Sequence, residues 1–353
     1  MMKSEEIKKR ILAHYEKYPQ LELQDVFKYV YQSSFGCEHL LASEERAREY
    51  IKREYAECRG IAQGIDKLDG PYSRVSLSCL DSGLAPETLA RIFCLSAKKE
   101  ESGAKELESK LCCVRVMIDE GCLPFSSEDF ENSLKVWDEA GYPAIHHSQR
   151  FRDLYHPAYR VIADEFVQFL PLFSKIDKLL EHGKVILAVE GGSASGKSTL
   201  SEMLSKIYDC TLFHMDDFFL RPEQRTTERL AEIGGNVDRE RFLSEVLLPL
   251  SEQRTVKYRK FDCSSGSLGE LEAFEPKKLT VIEGVYSMHP ELARFYDLSV
   301  FLDISPELQR ARIEKRNSPS FAARFFDTWI PMENKYFGVT GAESRCSLSI
   351  EIK

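Results

Sequence analysis

The octapeptide Gly191-Gly192-Ser193-Ala194-Ser195-Gly196-Lys197-Ser198, with Thr199 after it, constrains this chain more than any other feature. It satisfies G-x-x-x-x-G-K-[ST], a pattern so short that its flanks must decide its meaning. An apolar run, Val185-Ile186-Leu187-Ala188-Val189, precedes it, and Leu200, Met203, Leu204 and Ile207 follow at helical spacing. Strand, glycine-rich turn and helix in that order make a loop whose N–H groups face phosphate oxygens, reinforced by the helix N-terminus. In such a loop Lys197 bridges the β- and γ-phosphates and the Ser198 hydroxyl ligates Mg²⁺. Residues 191–199 are therefore the expected nucleotide site, with ATP and Mg²⁺ as cofactors. An unliganded strand–helix turn would leave the lysine and the hydroxyl unexplained.

The rest of the chain supplies context. At 353 residues two domains are expected. A hydrophobic fraction of 43% with 30% charged residues suits a globular protein with a buried core. The net charge of −9 argues against a general nucleic-acid binder. No apolar run is long enough to span a membrane, and the charged start Met1-Met2-Lys3-Ser4-Glu5-Glu6 has no apolar signal core. The ten cysteines form no C-x-x-C, which favours reduced thiols and a cytoplasmic location.

Residues 1–180 read as a mostly α-helical domain of unknown role. Ile7, Ile11, Leu12 and Tyr15 are helically spaced, as are Val26, Phe27, Val30 and Tyr31. Further helices are expected at about 43–58, 86–100, 104–119 and 126–140. Another is expected after Pro157, with Val161, Ile162, Phe166 and Phe169 on its apolar face. From His182 onward β-branched runs alternate with helical segments, which predicts an α/β domain over 181–353 with a parallel sheet flanked by helices. Strands are expected at Val185–Glu190, Thr211–Met215, Leu279–Glu283, Leu298–Asp303 and Ser347–Ile352.

Two of these strands end in acids. Asp216-Asp217-Phe218-Phe219 follows the second, expected beside the loop-bearing strand, where a carboxylate overlooks the ligand crevice of an open sheet. There it can accept a proton from an attacking hydroxyl. One of the two aspartates is as well explained as a helix cap. Glu283-Gly284 ends the third strand as a Walker-B-like acid does, holding Mg²⁺ together with Ser198. The helix after Ser305-Pro306 carries Arg312 and Arg316, four apart and able to face one phosphate; a solvated basic face is the plain alternative, but the helix's place after the fourth strand favours a lid that supplies arginine to the transition state.

These residues resemble the uridine kinase and phosphoribulokinase group of P-loop kinases over roughly 183–317. The resemblance implies Asp216 as general base and Phe219 beside it in the acceptor pocket. It implies Asp238 of Asn236-Val237-Asp238 as the contact to ribose hydroxyls, and Phe261-Asp262 as the counterpart of a Tyr-Asp segment lining the base pocket. Glu283-Gly284 matches the family's Glu-Gly, and Arg312 and Arg316 its lid arginines. Val237 and Cys263-Ser264-Ser265-Gly266-Ser267 depart from the family's acceptor region. The expected partner is a small-molecule substrate, most readily a nucleoside, with no nucleic acid and no membrane, and with a homo-oligomer left open. The alternatives are a sugar phosphate or other non-nucleoside alcohol, or an ATP-binding switch with no acceptor.

Three further features have plain readings. Basic residues from Arg221 to Lys260 interleave with glutamates, as on a solvated mixed-charge surface. Cys37-Glu38-His39, His146-His147 and His156 match no zinc spacing. Arg150, Arg152, Tyr155, His156, Tyr159 and Arg160 read as a packing surface, and the segment around Glu333 as a C-terminal helix without chemistry.

Overall fold

A computed structural model describes residues 2–36, 43–58, 64–97 and 103–353, which fall into two compact units, Met1–Ser174 and Lys175–Lys353. The segment Cys37-Glu38-His39 lies outside the described residues.

In the first unit, helices form at Met2–Lys17, Leu23–Phe35, Glu44–Cys58, Pro86–Ser96, Gly103–Asp119 and Ser127–Glu139. Ile7, Ile11, Val26, Phe27 and Val30 are buried, as their spacing predicts. The segment after Pro157 is not a helix. Tyr159–Ala163 (β3) pairs antiparallel with Tyr72–Ser76 (β2), which pairs with Ile65–Lys67 (β1). The neighbours Val161 and Ile162 are both buried. A strand covered on both faces achieves this with β-branched residues, whose stiff side chains fit a pleat better than a helix. The short helix Asp164–Val167 and then the helix Leu170–Leu180 follow.

A buried polar network ties these elements together. His147 Nδ1 lies 2.8 Å from Asp25 Oδ1, and its Nε2 lies 2.6 Å from the Tyr159 hydroxyl. Asp25 also accepts from the Glu22 and Ser148 amides and the Ser148 hydroxyl. Arg160 pairs with Glu54, Arg152 bonds Gln149, and His156 ends the helix Gln149–Tyr155 in a left-handed conformation. No group of three His, Cys, Asp or Glu that could hold a metal occurs among the described residues.

The second unit is a five-stranded parallel sheet. Its strands are Val185–Gly191 (β4), Cys210–His214 (β5), Leu279–Glu283 (β8), Leu298–Ile304 (β9) and Leu348–Ile352 (β10), in the order β10-β9-β4-β8-β5. Val185, Leu187, Ala188 and Val189 are all buried, the continuous run that a strand covered on both faces requires. The order corrects one expectation: β5 is not the neighbour of β4. It is the sheet edge, and β8 lies between them. Both remain at the C-terminal rim because His214 pairs with Glu283 in register, and Glu283 with Val189.

An antiparallel hairpin, Val256–Asp262 (β6) and Ser267–Phe274 (β7), carries the Phe261-Asp262 segment. Val256, Tyr258 and Phe261 are buried while β7 is largely exposed, so only β6 shows an apolar pattern.

Candidate active site

The loop after β4 departs from ordinary backbone. Gly191 has φ 145°, and a Cβ there would lie 2.7 Å from the Leu302 carbonyl oxygen, so only glycine lets β4 turn this close to β9. Ala194 has φ 61°, a strained conformation for alanine of the kind found at binding loops. The helix Lys197–Ile207 begins directly behind, burying Leu200, Met203, Leu204 and Ile207. Among the described residues no acceptor meets the amides of Ala194, Gly196, Lys197 or Ser198. They form a cluster of free donors at a helix N-terminus, which suits an anion. Lys197 Nζ folds back onto the Gly192 carbonyl at 2.9 Å.

At the end of β8, Glu283 Oε1 accepts from the Ser198 hydroxyl at 3.3 Å and lies 2.7 Å from His214 Nδ1. The hydrogen bond to Glu283 is the main reason the His214 pKa is raised. A hydroxyl and a carboxylate this close, at the mouth of an anion-binding loop, form an all-oxygen donor set that fits Mg²⁺. Gly284 follows with φ 142°, and a Cβ there would lie 2.6 Å from Met215 Cβ. This glycine lets the end of β8 close against the residue that precedes Asp216.

Asp216 and Asp217 occupy the 3₁₀ turn Met215–Phe218 that closes β5. Asp217 Oδ2 accepts from the Tyr258 hydroxyl at 2.8 Å, and its carbonyl accepts from Arg241 at 2.8 Å. Asp216 makes no hydrogen bond or ion pair among the described residues and is exposed at the rim. Desolvation of the carboxylate in the crevice raises its pKa; Lys197 and His214 oppose that shift, and Glu283 and Asp217 add to it. Burial pushes the Cys263 thiol up and the charge of Asp216 adds to the push, which marks the β6–β7 turn as a neighbour of this carboxylate.

The remaining sequence-predicted residues divide. Val237 bridges to Phe219, and the Asp238 amide donates to the Phe218 carbonyl at 2.7 Å, so Asn236-Val237-Asp238 runs beside the aspartate turn. Both carboxylate oxygens of Asp238 are engaged internally, by the Arg241 amide at 3.1 Å and Gln224 Nε2 at 2.7 Å. Phe261 is buried with Arg225 over its ring at 5.8 Å. Asp262 is exposed and accepts from the Ser264 amide and hydroxyl, forming the hairpin turn. Arg312 reaches the loop, donating to the Ala194 carbonyl at 3.2 Å. Arg316 does not: it is exposed and lies 5.7 Å over the Phe325 ring.

Three residues at the site escaped sequence reasoning. His214 was within reach, because it is the last residue of β5 in register with Glu283. Gln309, which donates to the Ser193 carbonyl at 2.8 Å, gave no signal of its own. Glu333 accepts from the Ser193 amide at 2.9 Å and from the Ser193 hydroxyl, and nothing in a lone glutamate 140 residues away foretells that contact.

The sheet order and the loop define a parallel α/β domain with a phosphate-binding loop, and the rim carboxylates stand at its mouth. Within that class, residues 186–318 match the model of the phosphoribulokinase / uridine kinase family. In sequence the chain is similar to a phosphoribulokinase from Synechocystis sp., 27% identical over 130 residues covering 35% of this chain. It is also similar to a uridine kinase from Ligilactobacillus salivarius, 26% identical over 145 residues covering 39% of this chain. The matched stretches span 39% of the first protein's length and 68% of the second's. Among solved structures, a possible uridine kinase from Bacillus stearothermophilus matches with 20% identity and a TM-score of 0.38, over 51% of this chain and 98% of that one.

Proposed function

We propose that the second unit is an ATP-dependent kinase that transfers the γ-phosphoryl group to a hydroxyl of a small molecule. The observation that carries this reading is Asp216, a carboxylate left without an internal partner at the rim that also bears the Ser198–Glu283 pair and the free amides of the loop. A nucleotide switch has no use for a base facing an acceptor pocket.

The free amides and Lys197 would bind the phosphate chain. Ser198 and Glu283 would hold Mg²⁺, whose charge would offset that of the β- and γ-phosphates. Asp216 would orient the acceptor hydroxyl and take its proton as the oxygen attacks phosphorus. His214 would keep Glu283 aimed at Ser198, and Arg312, already on the loop, would meet charge on the transferred phosphoryl.

The leading acceptor is a nucleoside, on the strength of the resemblance around Asp216. A sugar phosphate is the second reading, favoured by the Arg225 guanidinium beside Phe261 near the hairpin turn. The described cysteines are free thiols and no described helix is long and apolar enough to cross a membrane, in keeping with a cytoplasmic enzyme.

The test is ATP consumption with Mg²⁺ against nucleosides, sugar phosphates and small alcohols, with Lys197→Ala and Asp216→Asn as controls. Stimulation by one acceptor class, lost in both variants, is the expected result. ATP binding with no stimulation by any acceptor would favour a nucleotide switch and overturn the reading.

A further inference from the structure

The amides of the loop are used in two different ways. Ala194, Gly196, Lys197 and Ser198 keep theirs free among the described residues, whereas Gly191, Ser193 and Ser195 have theirs occupied. The Ser195 amide donates to the Gly192 carbonyl at 3.2 Å. The other two donate to carboxylates: Gly191 to Glu190 at 2.9 Å and Ser193 to Glu333 at 2.9 Å. Both carboxylates are almost fully buried, Glu190 at 0% and Glu333 at 5% exposure, and neither forms an ion pair with Lys or Arg among the described residues.

A buried, unpaired carboxylate is costly unless hydrogen bonds surround it. Glu190 has four such bonds, from the Gly191 amide, the Met288 amide at 2.9 Å, the Tyr336 hydroxyl at 3.0 Å and the Ser287 hydroxyl at 3.4 Å. Glu333 directs both of its oxygens to Ser193. Glu333 and Tyr336 are three residues apart on the helix Ile330–Thr340, so both leave it on one face. One helix therefore holds the loop directly, through Glu333, and at its root, through Tyr336 and Glu190.

We propose that Glu333 and Tyr336 are positioning residues for the phosphate loop, and that the helix Ile330–Thr340 holds that loop open for nucleotide. The proposal rests on the reading of this unit as an ATP-binding kinase. Fixing the amides of Gly191 and Ser193 holds the start of the loop, so that the backbone after Ser193 presents its free donors in one conformation. Without the clamp the competent loop becomes one conformer among several, and apparent affinity falls by the fraction lost. Neither residue touches the reacting atoms, so the effect belongs to nucleotide affinity before turnover.

The experiment measures Mg·ATP affinity of the full chain, by calorimetry or a fluorescent ATP analogue, for the wild type, E333A and E333Q, with thermal midpoints alongside. E333A is expected to bind ATP roughly tenfold to a hundredfold more weakly, the loss of a charge-assisted bond. E333Q still offers an acceptor to the Ser193 amide and a donor to its hydroxyl, so it is expected within about threefold of wild type. A wild type that does not bind ATP would refute the kinase reading itself. A wild type that binds, with E333A of equal affinity, would overturn the clamp. So would losses in both variants that track their thermal midpoints. Should E333A fail to fold, Y336F decides, since it keeps the ring and removes only the hydroxyl. A severalfold weaker affinity supports the clamp, and an unchanged one overturns it.

Discussion

At the scale of single residues, the aspartate pair is where the fold separates what composition cannot. Tyr258 and Arg241 engage Asp217, and Tyr258 is itself buried among Phe213, Phe218 and Phe274. Asp217 is thus part of the hairpin's attachment to the sheet, while Asp216 is left to the crevice. D216N should lower kcat by roughly a hundredfold to ten-thousandfold, the usual worth of a positioned general base. D217N should leave most of the turnover and lower stability by about 1–2 kcal/mol through the Tyr258 bond. Comparable kcat losses in the two variants would contradict the assignment. Because a base works deprotonated and the Asp216 pKa is raised by its surroundings, kcat/KM should fall as pH drops through a value above the ordinary aspartate range. A pH–rate profile of the wild type reads this limb, and D216N should lack it.

At the scale of elements, the two arginines of the helix Pro306–Arg316 have different fates. Arg312 bonds the loop, whereas Arg316 covers an aromatic ring in the π-helical segment Phe325–Trp329. R312A should reduce turnover on the order of a hundredfold, as loss of one donor to developing charge does. R316A should cost only a fewfold, since an exposed cation–π contact is worth about 0.5–1 kcal/mol. Steady-state kinetics of both variants checks the contrast, and equal losses would restore the paired-arginine expectation. Spacing put both residues on one helix, but it could not say which of them the loop would meet. The strand Tyr159–Ala163 was illegible for a related reason. Val161, Ile162, Phe166 and Phe169 suit a helical stripe on paper, and the pairing with Tyr72–Ser76 that overrides it joins residues about 90 positions apart. The P-loop, by contrast, was legible because its chemistry is local: strand, turn and helix are contiguous in the chain. Glu333 and Gln309 were not, since their meaning comes only from the Ser193 backbone they meet.

At the scale of the whole molecule, the two units should respond to pH with opposite sign. In the first, His147 is held to a pKa of about 3, chiefly by burial, and His14 is held well below its usual value for the same reason. Both bind protons more readily when unfolded, so this unit loses stability as pH falls below about 6.5, by roughly 1.4 kcal/mol per pH unit for His147 down to its pKa of about 3, with His14 acting in the same direction. In the second unit burial lifts Glu190 to about 7, and the Glu283 bond raises His214. Those groups bind protons more readily when folded. They favour the folded unit at lower pH, and that advantage is lost as pH rises, from about 4.5 through 7 for Glu190 and above about 6.5 for His214. His289, depressed by burial, opposes them in part. The chain's two tryptophans separate the signals, because Trp137 lies in the first unit and Trp329 in the second. In denaturant titrations of W329F and W137F at pH 5 and pH 7, the midpoint reported by Trp137 should rise with pH. The midpoint reported by Trp329 should stay level or fall. Midpoints that move together would mean that the units unfold as one or that the buried histidines are not held neutral, and either result would contradict the opposed pH responses.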